Sequence, residues 1–184
     1  MRKIGLMLAL FGTLALSASA KGWDGTWALT ASKLTYHVNH PMHHVEATST
    51  AAKGKAICDK KGAHILVACP VKTFASGDGN RDLHMMEVTR GATYPMVTVR
   101  AEWAAPLKAG EAKADVDVDF AGHQAHYAGV TFRVEEFKDG TLHITGTVPA
   151  NIKDFDIQAP SLLAVPIQSA IPVDVDLTWS RPTN

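Results

Sequence analysis

Apolar and polar residues alternate one for one through most of this chain, and that period of two constrains its fold more than any other feature. Asp115-Val116-Asp117-Val118-Asp119-Phe120 is the cleanest run. Its valines and phenylalanine fall on one side and its aspartates on the other, as a half-buried strand requires. Val173-Asp174-Val175-Asp176-Leu177-Thr178-Trp179 repeats the pattern, as does Thr141-Leu142-His143-Ile144-Thr145. Met96 to Trp103 and Val130 to Phe137 are rich in β-branched and aromatic residues. Leu34 to Val38 and His64 to Val71 read as further strands, and Trp23 to Leu29 as the first. Turn signals stand between the runs at Lys61-Gly62, Gly110-Glu111, Gly122 and Asp139-Gly140. The connections are too short for helical crossovers, so the strands are expected to be antiparallel. Many short strands joined by turns give an all-β sandwich or barrel.

Two segments depart from the alternation. Ser76-Gly77-Asp78-Gly79-Asn80 is a turn cluster, and Arg81 to Val88 behind it has no strand pattern. A short helix is expected there, with Asp78 or Asn80 as its N-cap. Ile157 to Pro172 is apolar but carries Pro160, Pro166 and Pro172, which forbid a long regular helix. It reads as an ordered loop with at most one helical turn.

The N-terminus has the three parts of an export signal. Met1-Arg2-Lys3 is a positive head, Ile4 to Leu16 is apolar, and Ser17-Ala18-Ser19-Ala20 supplies a small-residue cleavage site. The apolar stretch is short of the roughly 20 residues that span a bilayer. Residues 1–20 are therefore expected to be removed, with residues 21–184 forming one domain in the periplasm and no membrane span left after cleavage. The chain carries 18 basic and 18 acidic residues, and losing Arg2 and Lys3 leaves it slightly acidic. With no basic stripe, nucleic-acid binding loses its electrostatic driver. Cys58 and Cys69 are the two cysteines. A disulfide between them and a pair of buried free thiols are both open readings.

Nine histidines are the unusual feature. His37, His40, His43 and His44 crowd one stretch, His123 and His126 form a pair, and His84 stands beside Met85 and Met86. Imidazole and thioether suit copper or zinc, so a metal site at His40, His43 and His44 is the alternative reading, although no standard zinc spacing is present. Asp78, Asn80 and Asp82 alternate like the start of an EF-hand, but Leu83 and Thr89 stand where the calcium loop needs Gly and Glu. There is no G-x-S-x-G elbow, G-x-G-x-x-G or P-loop, so neither an enzyme nor a cofactor is expected. A closed barrel either fills its interior with side chains or holds one small ligand there, and periodicity alone does not choose.

The chain resembles the YceI-like family of periplasmic, polyisoprenoid-binding proteins from about Ser32 to Trp179. The opening Ser32-x-Leu34-x-Tyr36-x-Val38-x-His40 is similar to the family's S-x-V-x-F-x-V-x-H strand. Arg81-Asp82-Leu83-His84-Met85, followed by Tyr94-Pro95, matches its R-[DN]-x-H-[LM] and K/R-Y-P pattern. Phe120-Ala121-Gly122-His123, Thr145-Gly146-Thr147-Val148 and Asp154-Phe155 resemble its later turns. Asp156 stands where the family often has Gly, and Cys58 and Cys69 lie outside its pattern. The resemblance implies a lipocalin-like, extended antiparallel β-barrel of about eight strands with a short helix beside it. It also implies an apolar pore for an isoprenoid tail, whether polyprenyl or quinone, and a homodimer. The pore lining is expected from Tyr36, Val38, Val97, Val99, Val118, Phe120, Phe132, Val134, Ile144 and Leu177. His40, Arg81, Asp82, His84 and Tyr94 are the family-motif residues. Arg81 and Asp82 are expected to fix the helix region, and Tyr94-Pro95 to shape the start of the next strand.

Overall fold

A computed structural model describes residues 23–40, 43–137, 139–159, 161–162 and 165–182. The expected signal segment, residues 1–20, lies outside them. Strands β1 (Gly25–His40), β2 (His43–Ser49), β3 (Lys53–Cys58) and β4 (Ala63–Pro70) lead into α1 (Gly79–Val88), the one α-helix among the described residues. Then come β5 (Met96–Trp103), β6 (Gly110–Phe120), β7 (His123–Glu136) and β8 (Leu142–Val148). Two two-residue strands, β9 (Ser161–Leu162) and β10 (Val165–Pro166), precede the last strand, β11 (Val173–Ser180).

All strand pairs of the main sheet are antiparallel. The order is β11-β8-β7-β6-β5-β4-β3-β1-β2, and β11 returns to pair with β1. The sheet is therefore a closed barrel. Its nine strands occupy eight places around the wall, because β2 and β3 lie successively along the same side of β1. Closure pairs strands that an open sheet would leave as exposed edges.

The alternation read from sequence sets which side chains enter the barrel. Val116 and Val118 are buried, while Asp117 and Asp119 point out and meet His126 and Arg100. Leu177 and Trp179 are buried, while the outward Asp176 meets His143. The two runs expected at Trp23–Leu29 and Leu34–Val38 are one long strand, β1. Its register against β11 slips between Leu29 and Ala31, and that bulge lets a single strand bend around the wall. The described residues of the proline-bearing segment hold the small β9–β10 pair. The helical turn falls earlier, as a 3-10 turn over Ile152–Phe155.

The cysteine alternative is resolved by register. Cys58 lies opposite Ala63, whereas Ala68, the neighbour of Cys69, lies opposite Lys53. The two cysteines thus sit at opposite ends of the β3–β4 pair, on the order of 20 Å apart at the usual strand rise. That is far beyond disulfide reach. Both are buried free thiols, and burial pushes the Cys58 thiol up to about 11.

Tryptophans close one end of the barrel. Trp27, Trp103 and Trp179 are all buried there. The Trp179 ring packs so closely on β3 that a Cβ at Gly54 would come within 2.9 Å of it. Arg181 lies over the Trp27 ring, 4.6 Å from its centroid. Trp27 Nε1 donates to the Trp23 carbonyl at 2.9 Å.

Candidate functional site

Above the tryptophan floor the barrel is hollow. The cavity holds about 540 Å³ and runs from Trp103 up to α1. Its walls are the inward positions of the strands, mostly Val, Ile, Leu and Phe. Val97, Val99 and Val175 pack against the core yet remain only partly buried, and they face the void rather than one another. A void of this size lined by such residues holds apolar matter and is a poor host for ordered water.

The other end is the mouth, and α1 lies across it. Asp78 caps the helix, its Oδ1 accepting the N–H groups of Asn80 at 3.0 Å and Arg81 at 3.2 Å. The Arg81 backbone and guanidinium together hold the Asp78 carboxyl below the usual carboxylate range. Asp82 Oδ1 accepts the Ser76 N–H at 2.9 Å, fixing the loop that enters the helix. Met85 and Val88 turn inward over the cavity, with Arg81 and His84 at its rim. Ile152 and Phe155 complete the mouth from the 3-10 turn, where Phe155 meets Phe120 edge-on at 5.4 Å.

Arg90 fastens the helix to the barrel, and sequence reasoning missed it. The residue is left-handed (φ 56°) just past the helix end, which a side chain other than Gly adopts rarely. Its Nη2 donates to the Ala121 carbonyl at 2.6 Å and to the Phe155 carbonyl at 3.2 Å. One guanidinium thus ties α1 to the β6–β7 turn and to the 3-10 turn across the mouth. The Tyr94 ring lies under it at 5.6 Å and covers Gly122, where a Cβ would fall 2.5 Å from the ring. Nothing in the local sequence marks Arg90, because its partners are distant carbonyls.

The structure places Tyr36, Val38, Val97, Val99, Val118, Phe120, Phe132, Ile144 and Leu177 on the cavity wall. Val134 is not among them. It points inward but lies closer to the floor than Phe132, in the packed part of the core. Sequence reasoning also missed the tryptophan floor and the contribution of Met85, Val88 and Ile152 to the mouth. His40 and His44 of the alternative metal set fall on opposite faces of the wall. His40 is buried and faces the cavity, whereas His44 is exposed on the outer surface. The His43 side chain lies outside the described residues.

Tyr36 reports on this environment. Burial, with the Asp82 carboxylate nearby, pushes its hydroxyl up to about 12 from the ordinary 10. The neutral phenol is favoured by folding, so its contribution is complete below pH 10 and is lost as pH rises from about 10 to about 12. Urea denaturation across that window is expected to show stability falling less steeply for Tyr36→Phe than for the unaltered protein. Equal slopes would contradict this reading.

Comparison with known proteins places this geometry. The YceI-like domain family matches residues 26–179. No curated protein matches the chain. Among solved structures, it is similar to a polyisoprenoid binding domain from Saccharophagus degradans implicated in plant cell wall breakdown. The TM-score is 0.71 at 16% identity, over 85% of this chain and 98% of that one. It is also similar to BcnA of Burkholderia cenocepacia, with a TM-score of 0.66 at 15% identity over 80% and 95% of the two chains. The YCEI protein of Campylobacter jejuni gives 0.60 at 13% identity over 78% and 90%. At these identities the likeness is one of fold.

Proposed function

The chain belongs to the YceI-like domain family, and from that premise we propose that it is a periplasmic binding and carrier protein for an amphiphilic lipid, whose polyisoprenoid or isoprenoid-quinone tail occupies the barrel. The observation that carries this reading is the cavity of about 540 Å³, apolar along its wall, closed by tryptophans below and rimmed by polar groups above. Burying each CH₂ of a tail contributes about 0.8 kcal/mol, so affinity builds along the chain without any charged contact. Asp78, Asn80, Arg81 and His84 at the rim suit a head group that stays near water. The Saccharophagus domain of similar fold is described as polyisoprenoid binding, which supports the same reading.

The export signature of residues 1–20 supports the compartment, and no helix among the described residues is long and apolar enough to cross a membrane. Binding is the whole activity in this reading, with no bond made or broken. A homodimer, implied by the family resemblance, would have Leu83, 65% exposed, and Met96 among the exposed apolar side chains to cover. Native mass spectrometry of protein purified from the periplasm is expected to show an added isoprenoid mass that chloroform extraction removes. A lipid-free spectrum, together with failure of the extracted protein to take up a polyprenol or ubiquinone, would overturn the proposal.

A further inference from the structure

We infer that the outer wall of the barrel carries a second, separate site: a surface centre for zinc(II) or copper(II) formed by His37, His44 and Glu46. The strand register builds it. His37 lies directly opposite Glu46 and Asn39 directly opposite His44 on the β1–β2 pair. All four therefore project from one face, away from the cavity wall to which Tyr36, Val38 and Val45 belong. Ligand atoms of His37, His44 and Glu46 lie within 4.8 Å of one another. The two imidazole rings are stacked with centroids 5.6 Å apart.

The hydrogen bonds around the rings decide what this cluster wants. His37 Nε2 lies 2.8 Å from Asp174 Oδ2, and His44 Nδ1 lies 2.7 Å from Asn39 Oδ1. When an ion binds, each of these oxygens can hold a ring proton and so turn the other nitrogen of that ring to the ion. The remaining nitrogens, His37 Nδ1 and His44 Nε2, then present lone pairs. Both point at the same oxygen, Glu46 Oε1, each at 3.1 Å. Ring protons can bridge these nitrogens to that oxygen, and a divalent ion that displaces them meets three donor atoms already converging. Two ligand atoms bound at 2.0–2.1 Å to a tetrahedral zinc lie about 3.3–3.4 Å apart, close to the two nitrogen–oxygen spacings of 3.1 Å already present.

The outer shell is built as metal-ligating histidines require, with the second nitrogen of each ring held by a side-chain oxygen. Asp174 is itself held by Thr147, whose Oγ1 donates to Oδ1 at 2.6 Å. The assembly thus spans four adjacent strands, β2, β1, β11 and β8. Two imidazoles and one carboxylate suit zinc or copper, with water completing the coordination. Elsewhere on the outer wall the histidines meet single carboxylates, as His126 meets Asp117 and His143 meets Asp176.

Competition against a chromophoric chelator, with Zn(II) and Cu(II) offered in turn, tests the site. One equivalent of ion is expected to bind per chain. His37→Ala, His44→Ala and Glu46→Gln should each weaken binding at least tenfold, and Asp174→Asn by about tenfold through the outer shell. His126→Ala should leave affinity unchanged. Because His44 and Glu46 are exposed, their variants are expected to keep the circular dichroism of the parent. In ¹⁵N spectra of the histidine rings, ion addition should shift His37 Nδ1 and His44 Nε2 most. Absence of uptake at micromolar ion overturns the inference. So does uptake that survives His37→Ala and Glu46→Gln but is lost in His43→Ala. Either result is independent of what fills the barrel, since lipid occupancy is read separately by extraction.

Discussion

Replacing Val99 with tryptophan is expected to abolish tail binding while leaving the barrel folded. Val99 lies midway along β5, opposite Val67 on one neighbour and Val118 on the other, and all three line the cavity. An indole at this position projects into the void instead of into packed neighbours, so it escapes most of the 1–3 kcal/mol usually lost on overpacking a filled core. It would displace on the order of five methylenes of a bound chain. At about 0.8 kcal/mol each this removes roughly 4 kcal/mol, close to a thousandfold in affinity. Displacement of a fluorescent polyprenyl probe measures the loss, and thermal melting checks the fold. Unchanged probe affinity in a folded Val99→Trp protein would show that the tail lies elsewhere.

The largest effect on stability is expected from Trp179→Ala. Trp179 is 1% exposed and packs on β3 at Gly54 with no slack. It also lies within the β11 segment that pairs with β1 and closes the barrel. Removing it takes away the transfer energy of the largest side chain and leaves a hole at the floor, together about 3–5 kcal/mol. Urea unfolding followed by fluorescence of the remaining tryptophans should show a markedly lower midpoint. A loss below about 1 kcal/mol would mean that the floor relaxes to fill the gap, contrary to the packing described.

The wall of this barrel was legible in the sequence because alternation is a local property. Residues such as Val116, Val118, Ile144 and Leu177 carry their inward direction in their spacing. The helix was legible because Asp78 caps it with its own side chain. What escaped were features that depend on distant partners. Arg90 acts on carbonyls 31 and 65 residues away, and no short window records such contacts. The Cys58–Cys69 pair fails as a bridge because the turn at Lys60-Lys61-Gly62 sets Cys58 opposite Ala63, as hairpin counting from that turn indicates. Grouping His40 with His44 by the pleat takes them as one strand, whereas β1 ends at His40 and β2 starts at His43. His37 and His44 share the outer face only through the β1–β2 register. Hollowness was the least readable property. A valine that lines a void and one that fills a core look identical until the opposite wall is placed.

The tryptophan floor makes the bore a depth gauge. Six residue steps on β5, from Val97 to Trp103, give about 15–20 Å from mouth to stop once strand tilt is allowed for. Each carbon added to a short tail in the proposed site would gain new contact until its tip touched Trp103. Any carbon beyond that would stay outside the bore and gain nothing. A family of lipids built on one repeating unit would thus be sorted at the short end and treated alike at the long end.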